Sequence, residues 1–245
     1  MSAVIVMKDL TKSYGNTLAL DELTLDIEAG EVFGLLGHNG AGKTTTASLL
    51  TTLLQPTEGS ATVAGYDIEN DPSDVRRSIG YLPENVRFYD ELTVLENLRF
   101  FAELSGLRRP DKRIRQVLEL LDFPGHENQR LETLSKGMRQ RVGIAQTILH
   151  SPDVVFLDEP TSGLDPEGVR ILREIIGKLN TELGMTVFMN THLLSEVART
   201  CTSIGILRAG MLVHHDTLEN TLTAFPGEDS LEAAYFGIGG SQWMR

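Results

Sequence analysis

The most informative segment of the chain is GHNGAGKTT, from Gly37 to Thr45. It follows the apolar run EVFGLL (31–36) and precedes KTTTASLLTTLL (43–54), so it joins a predicted buried strand to a predicted helix. Two glycines followed by Lys and Thr at these spacings match the phosphate-loop pattern, in which successive backbone N–H groups point at a phosphate. The stretch therefore predicts an α/β protein that binds a nucleotide.

The side chains of this loop have separate expected roles. Lys43 is expected to reach the β- and γ-phosphate oxygens as a mobile positive charge, and it is a candidate catalytic residue. The Thr44 hydroxyl suits Mg²⁺, and the start of the helix adds positive electrostatic potential. The candidate nucleotide contacts are all the residues of the loop, namely Gly37, His38, Asn39, Gly40, Ala41, Gly42, Lys43, Thr44 and Thr45.

A second motif, VVFLDEP (154–160), is an apolar run that ends in two adjacent carboxylates. Such a run is typical of a parallel strand that is buried on both faces. Because side chains alternate along a strand, Asp158 and Glu159 are expected to point in different directions and to have different roles. We expect Asp158 to hold Mg²⁺ through water and Glu159 to act as the general base on the attacking water. The alternative is an acidic strand end that is solvated at the surface.

His192 follows another apolar strand, VFMNT (187–191). A histidine at a strand end is more often structural than catalytic. Here the other strand ends carry phosphate-binding residues, and ligands of parallel sheets bind outside the carboxyl ends of the strands. His192 is therefore predicted to contact the γ-phosphate and to take part in catalysis.

The stretch TLSKGMRQRVGIAQ (133–146) predicts a second helix whose start suits an anion. Ser135 is a good N-cap, and Gly137 lets a ligand approach the backbone closely. An ordinary capped helix is the alternative. An ATP bound at the phosphate loop already has one helix start and needs no second one from the same chain. A second copy of the chain, facing the first head to tail, could use the helix that starts at Ser135 for its own ATP. The Ser135 helix of one copy would then cover the phosphate held by Lys43 of the other.

Composition narrows the class of protein. The chain has 34 acidic and 22 basic residues and a net charge of −12, which disfavours nucleic acid as a partner. Cys201 is the only cysteine, so an internal disulfide is impossible. The N-terminus lacks the pattern of a signal peptide, and no apolar run approaches the ~20 residues that span a bilayer. Any membrane role is expected to come through a partner.

The order of strands and helices predicts the architecture. We expect a P-loop NTPase core with a mostly parallel sheet, an antiparallel β flank and an inserted helical subdomain. One domain is expected over 1–245, with the ATP-binding core at 1–83 and 153–225, the helical subdomain at 84–152 and a tail at 226–245 that frays. Thr93 and Glu96 predict a capping box within the helical insert. Ala209 and Gly210 predict the turn of a closing hairpin.

The stretch LSKGMRQR (134–141) resembles the signature sequence of ATP-binding cassette (ABC) ATPases, whose usual core is Leu-Ser-Gly-Gly-Gln. Leu134, Ser135 and Gly137 match that core, whereas Lys136 and Met138 depart from it. The other motifs follow in the family's order along nearly the whole chain. They are Tyr14 where an aromatic stacks on adenine, 37–45 as Walker A, Asp158 and Glu159 as Walker B, SGLD (162–165) as the D-loop and His192 as the switch histidine.

The place of the family's Q-loop is taken by IGYLPEN (79–85), where Glu84 stands instead of the commonest Gln. The resemblance implies ATP and Mg²⁺ as ligands, with Thr44, Asp158 and Glu84 toward the metal. In three stretches, the sequence resembles ATP-binding subunits of exporters whose permease is a separate polypeptide. The similar stretches are DPSDVRRSIGYLPE (71–84), LTVLENLRFFAELSGL (92–107) and SLEAAYFGI (230–238).

The resemblance implies ATP hydrolysis coupled to transport by a homodimer, or a heterodimer with a related subunit. That dimer would dock on an integral-membrane permease at the cytoplasmic face of the cell membrane. Arg87, Phe88 and Tyr89 are candidates for the groove that receives the permease. A soluble ABC-class ATPase that is not coupled to transport is the main alternative, and a regulator that no longer hydrolyses ATP is the second. Intact Lys43, Glu159 and His192 argue against that regulator.

Overall fold

A computed structural model describes residues 2–225 and 230–238 of the chain. The strands, in chain order, are β1 (Ala3–Tyr14), β2 (Thr17–Glu28), β3 (Val32–Leu36), β4 (Glu58–Val63), β5 (Tyr66–Asp67), β6 (Ile79–Leu82), β7 (Val154–Asp158), β8 (Thr186–Thr191), β9 (Ser203–Arg208) and β10 (Met211–Thr217). The α-helices are α1 (Lys43–Leu50), α2 (Pro72–Ser78), α3 (Val94–Leu104), α4 (Asp111–Leu120), α5 (Lys136–Ile148), α6 (Pro166–Thr181), α7 (Leu194–Thr200), α8 (Leu218–Ala224) and α9 (Ser230–Gly237). Strands and helices alternate through most of this order, which is the pattern of an α/β protein.

The larger sheet has six strands in the order β10-β9-β3-β8-β7-β6. Its pairings are parallel except for β9 with β10, which form a hairpin across Ala209 and Gly210. Every residue of β3, β7 and β8 is buried, as expected for strands covered on both faces. The predicted mostly parallel sheet and the predicted turn are therefore confirmed.

The antiparallel flank is a four-stranded sheet in the order β2-β1-β4-β5. Its inward side chains form one apolar core with a face of the larger sheet. In that core the Phe33, Phe188 and Phe156 rings lie 5.3 Å and 5.2 Å apart in succession, centroid to centroid. A second core lies between the larger sheet and helices α3 to α7. The two cores together hold the strand ends that carry the candidate site.

Three helices, α3, α4 and α5, lie in the chain between β6 and β7. Their buried apolar residues, such as Leu98, Ile114 and Ile144, belong to the second core. Helix α3 begins with the predicted capping box, in which Thr93 accepts from the Glu96 N–H and Glu96 accepts from the Thr93 N–H. That prediction is confirmed, and it explains where the first helix of the insert starts.

Two elements differ from the sequence-based expectation. Helix α1 ends at Leu50 rather than near Leu54, because Thr52 takes a φ of +61° and turns the chain. Strand β6 was not predicted as a strand, since it has only four residues and stops immediately before Pro83. Its position at the edge of the sheet, next to β7, brings the residues after it close to the strand ends.

The expectation of a frayed tail is wrong for 230–237, which form α9. Leu231 belongs to the second core and Ala234 is buried, and this packing holds the helix in place. The rest of the predicted tail, 226–229 and 239–245, lies outside the described residues. Within 2–225 and 230–238, no helix combines the length and apolarity that crossing a membrane requires.

Candidate functional site

The loop between β3 and α1 has a backbone that only glycine accommodates. Gly40 and Gly42 have φ values of +82° and +109°, in the left-handed region that strains other residues. A Cβ atom at Gly42 would also lie 2.7 Å from the Ala19 carbonyl oxygen, and one at Gly37 would lie 2.6 Å from the Leu207 carbonyl oxygen. The loop is therefore clamped between the antiparallel flank and β9, which fixes the direction of its N–H groups.

Lys43 is held inside this loop. Its Nζ donates to the Gly37 carbonyl oxygen at 2.6 Å and to the His38 carbonyl oxygen at 3.2 Å. Burial lowers the pKa of the ammonium, and the carboxylates of Glu159 and Asp158 oppose that shift. A phosphate oxygen is a stronger, charge-assisted partner than a main-chain carbonyl, so this ammonium suits an anion placed in the loop.

An open cavity of ≈ 490 Å³ lies over the loop. It brings together predicted site residues from four separate parts of the chain. They are Asn39, Gly40, Gly42, Lys43, Thr44 and Thr45 of the loop, with Glu84 after β6, Glu159 after β7 and His192 after β8. Ala19 of β2 completes the lining. One cation and two carboxylates thus face the same space, which suits a phosphate chain with a divalent metal.

Asp158 is the last residue of β7 and is only 5% exposed. It does not line the cavity but lies beneath it, where its Oδ1 accepts from the Asn190 side chain at 3.2 Å. Burial raises the pKa of this carboxyl, the hydrogen bond from Asn190 lowers it, and the negative charges of Glu159 and Glu84 raise it further. The three carboxylates therefore repel one another, and the Lys43 ammonium offsets part of that repulsion.

Glu159 leaves the strand through a left-handed turn, with a φ of +46°. Such a backbone costs about 1–3 kcal/mol in a residue other than glycine and persists only where its surroundings hold it. Here its N–H donates to the Asn190 carbonyl oxygen at 2.9 Å, and its carboxylate oxygens lie 2.9 Å from Nδ1 of His192. This turn, rather than the expected strand alternation, sends Glu159 toward the cavity and leaves Asp158 below it.

Asn190 is a site residue that the sequence-based reasoning missed. Its Nδ2 donates to the Lys43 carbonyl oxygen at 3.1 Å as well as to Asp158, so it links β8, β7 and the start of α1. A signal was available in VFMNT (187–191), because a polar amide in a buried apolar strand is costly without hydrogen-bond partners.

The residues present fit a magnesium–nucleotide complex. Within 2–225 and 230–238, no three His, Cys, Asp or Glu side chains form a group that could hold a metal by themselves. Magnesium is commonly held by one or two carboxylates together with substrate phosphates, and Thr44, Asp158 and Glu84 supply such a partial set of oxygen donors.

The predicted contacts Gly37, His38 and Ala41 belong to the loop but do not line the cavity, and three further predicted nucleotide contacts lie elsewhere. Tyr14, at the end of β1, is 48% exposed and does not line the cavity, and the Lys12 Nζ lies 5.5 Å from its ring centroid. Ser135 caps α5 by accepting from the Met138 N–H at 3.3 Å. Ser135 and Gly137 line a different cavity, of ≈ 480 Å³. One chain therefore keeps its two candidate phosphate-binding helix starts in separate cavities.

Comparisons with known proteins agree with this arrangement. The family model described as ABC transporter matches residues 20–162. The bacitracin transport ATP-binding protein BcrA of Bacillus licheniformis is 38% identical over 213 residues, which cover 87% of this chain and 69% of BcrA. Among solved structures, an ATP binding subunit of an ABC transporter is 31% identical with a TM-score of 0.83, covering 95% of this chain and 99% of its own.

A second solved structure shows the ATP-binding cassette MJ0796 as a dimer in a post-hydrolysis state, bound to ADP and Pi. It is 27% identical to this chain with a TM-score of 0.78, and the match covers 87% of this chain and 98% of MJ0796. The resemblance drawn from the signature sequence is confirmed by these matches. The chain belongs to the ABC transporter family and is one of its ATP-binding, ATP-hydrolysing subunits.

Proposed function

We propose that ATP binds between two copies of this chain, or between it and a related subunit, and that hydrolysis there drives transport through a separate membrane permease. The observation that carries the proposal is the separation of the two helix starts. Lys43 and Thr44 line one cavity, and Ser135 and Gly137 line another. A nucleotide on one chain engages only the first of them, so a second copy placed head to tail supplies the other. The dimer of MJ0796 supports this arrangement.

In the proposed site, the loop N–H groups and Lys43 bind the phosphates. The loop donors are those of residues 37–45, whose backbone is fixed by Gly40 and Gly42. The Thr44 hydroxyl, Asp158 and Glu84 would hold Mg²⁺, which neutralises charge on the phosphate oxygens when it is bound. These residues lie at or beneath one cavity, as the binding of one metal–nucleotide complex requires.

Glu159 is the proposed general base, and His192 its partner. The carboxylate of Glu159 lines the cavity, so it is placed to accept a proton from water near the terminal phosphate. The 2.9 Å contact with Nδ1 of His192 holds that carboxylate in one orientation. The other ring nitrogen of His192, Nε2, is then available to the γ-phosphate, because the His192 side chain is half exposed.

Tyr14 is proposed to stack on the adenine. Its ring is exposed at the end of β1, where an aromatic face can receive a base. The Lys12 ammonium lies 5.5 Å from the ring centroid and is anchored on the Gln55 carbonyl oxygen at 2.7 Å. The Lys12 ammonium therefore occupies one face of the Tyr14 ring, and the adenine would stack on the opposite face.

The proposed permease groove is an aromatic patch formed by Phe88, Tyr89, Phe100 and Phe101. Tyr89 and Phe100 are partly exposed, and their ring centroids lie 5.1 Å apart. The buried side chain of Asn97 fixes the main chain of Tyr89. It accepts from the Tyr89 N–H and donates to the Tyr89 carbonyl oxygen, both at 3.0 Å. Exposed aromatic clusters of this kind mark sites of protein association.

Arg87 is exposed beside that patch and would meet polar groups at its rim. Docking there would place this subunit at the cytoplasmic face of the cell membrane. We also propose the division into a core at 1–83 and 153–225, a helical subdomain at 84–152 and a tail at 226–245, which is supported by the three helices between β6 and β7. The exporter type is supported by the family-like stretches at 71–84, 92–107 and 230–238.

The test is the MgATP-dependent association of a variant that binds but does not hydrolyse. Glu159→Gln should sediment as a dimer with MgATP and as a monomer without nucleotide. The double variant Glu159→Gln/Ser135→Arg, which blocks the second helix start and leaves the loop intact, should stay monomeric while still binding MgATP. A dimer of the double variant that is as stable as that of Glu159→Gln would contradict the shared site.

A further inference from the structure

The side chain of Asn190 joins two parts of the nucleotide site from below. It is the penultimate residue of β8, 1% exposed, and lies opposite Asp158 in the parallel register of β7 and β8. Its Nδ2 lies 3.1 Å from the Lys43 carbonyl oxygen and 3.2 Å from Oδ1 of Asp158. A main-chain carbonyl only accepts hydrogen bonds, so the nitrogen of the amide must face these partners.

We propose that Asn190 is a positioning residue that fixes the Asp158 carboxylate relative to the main chain of Lys43, so that Mg²⁺ can strengthen ATP binding. This inference rests on the proposed function, in which Asp158 serves the metal. In the proposed site, Asn190 itself touches neither the nucleotide nor the metal. It acts through Asp158, as residues behind a metal ligand do.

Asp158 depends on this amide for its orientation. Within 2–225 and 230–238, Asn190 is the only hydrogen-bond donor to the Asp158 side chain. Beyond burial and this hydrogen bond, the negative charges of Glu159 and Glu84 raise the pKa of Asp158 and the Lys43 ammonium lowers it, so no other group in the described part of the chain holds this carboxylate by a directional contact. Loss of the amide leaves a buried carboxylate that turns toward whatever donor it can reach.

Among the groups expected to bind ATP without a metal, Asn190 contacts only the main-chain carbonyl of Lys43, and neither the Lys43 ammonium nor the loop N–H groups. The loop backbone is set by Gly40 and Gly42, and the Lys43 ammonium is held by the Gly37 and His38 carbonyl oxygens. Removal of the amide should therefore weaken the metal-assisted part of ATP binding and leave the metal-free part almost unchanged. A residue that only supports the fold would change both parts together.

The experiment measures the affinity of a fluorescent ATP analogue in saturating Mg²⁺ and in EDTA. The proteins are the wild type, Asn190→Ala and Asn190→Ser, whose hydroxyl is too short to reach both partners. The matched control is Asn180→Ala. Asn180 likewise donates to two partners, the main-chain carbonyls of Gly30 at 2.8 Å and Met185 at 3.0 Å, but it does not line the cavity.

The ratio of affinity in Mg²⁺ to affinity in EDTA should fall about tenfold or more in both Asn190 variants, since loss of a group behind a metal ligand typically costs 10–100-fold. Their affinity in EDTA should stay within a few-fold of the wild type, and Asn180→Ala should keep the wild-type ratio. An unchanged ratio in a folded Asn190 variant, or equal losses in both conditions, overturns the inference alone. A wild type that binds the analogue equally in Mg²⁺ and in EDTA overturns the metal assignment as well.

Discussion

The Nδ1 atom of His192 lies 2.9 Å from both carboxylate oxygens of Glu159. The two residues are 33 positions apart in the chain and meet because β7 and β8 are neighbouring parallel strands that end at the same edge of the sheet. The Glu159 side chain is 12% exposed and that of His192 is 50% exposed. A shielded carboxylate is thus oriented by a residue that reaches into the open cavity.

The first prediction concerns this carboxylate. Glu159→Gln keeps the shape of the side chain but cannot accept a proton from water. Its turnover at saturating MgATP should fall at least ~100-fold, the usual size of a general-base effect. Phosphate release measures it, with Glu91→Gln as the control because Glu91 is exposed and does not line the cavity. Near-normal turnover of Glu159→Gln would remove this residue from the mechanism.

The second prediction concerns Glu84, which adds a carboxylate to a cavity already lined by Glu159 and underlain by Asp158. Without metal these like charges oppose ATP binding, and a divalent cation relieves the repulsion. Glu84→Gln should keep ATPase activity within a few-fold, weaken the dependence on Mg²⁺ and improve ATP binding in chelator.

Titration of Mg²⁺ against ATPase activity, together with ATP affinity in EDTA, tests that prediction. Glu91→Gln again serves as the control, since it removes a carboxylate of equal charge outside the cavity. Superimposable titration curves for the wild type and Glu84→Gln, with equal ATP affinity in EDTA, would show that Glu84 does not sense the metal.

The third prediction concerns the start of α3. Thr93→Ala removes an N-cap and should lower the free energy of unfolding by about 1 kcal/mol at pH 7, measured by urea denaturation. Thr181→Ala is the control, because the Thr181 hydroxyl bonds a carbonyl within its own helix and caps nothing. A loss no larger than that of the control would mean that the capping box does not stabilise the insert.

The same capping box gives a pH dependence. Hydrogen bonds from the Thr93 backbone and side chain lower the pKa of Glu96. A carboxyl with a lowered folded-state pKa stabilises the fold above its unfolded-state pKa, and this stabilisation is lost as the pH falls through the folded-state pKa. The difference in unfolding free energy between the wild type and Glu96→Gln, which keeps an acceptor but has no charge, should therefore shrink below about pH 4. A constant difference between pH 7 and pH 3 would contradict the role of the charge.

The phosphate loop, the carboxylates after β7 and the capping box could be predicted from sequence because each is a local pattern with fixed spacing. Asn190 could not be assigned in the same way, since its role depends on a contact with Lys43, 147 residues away. The left-handed backbone of Glu159 and the short strand β6 also escaped prediction. In each case the deciding interaction is tertiary, and no local propensity reports it.

If each ATP site is shared by two chains, two inactive variants should restore activity when they are mixed. Ser135→Arg and Lys43→Ala should each have almost no ATPase activity alone. Mixed, they form heterodimers in which one site keeps both an intact Lys43 and an intact Ser135, so a measurable part of the wild-type activity should return. No recovery, with heterodimers demonstrated in the same mixture, would contradict a site shared between chains.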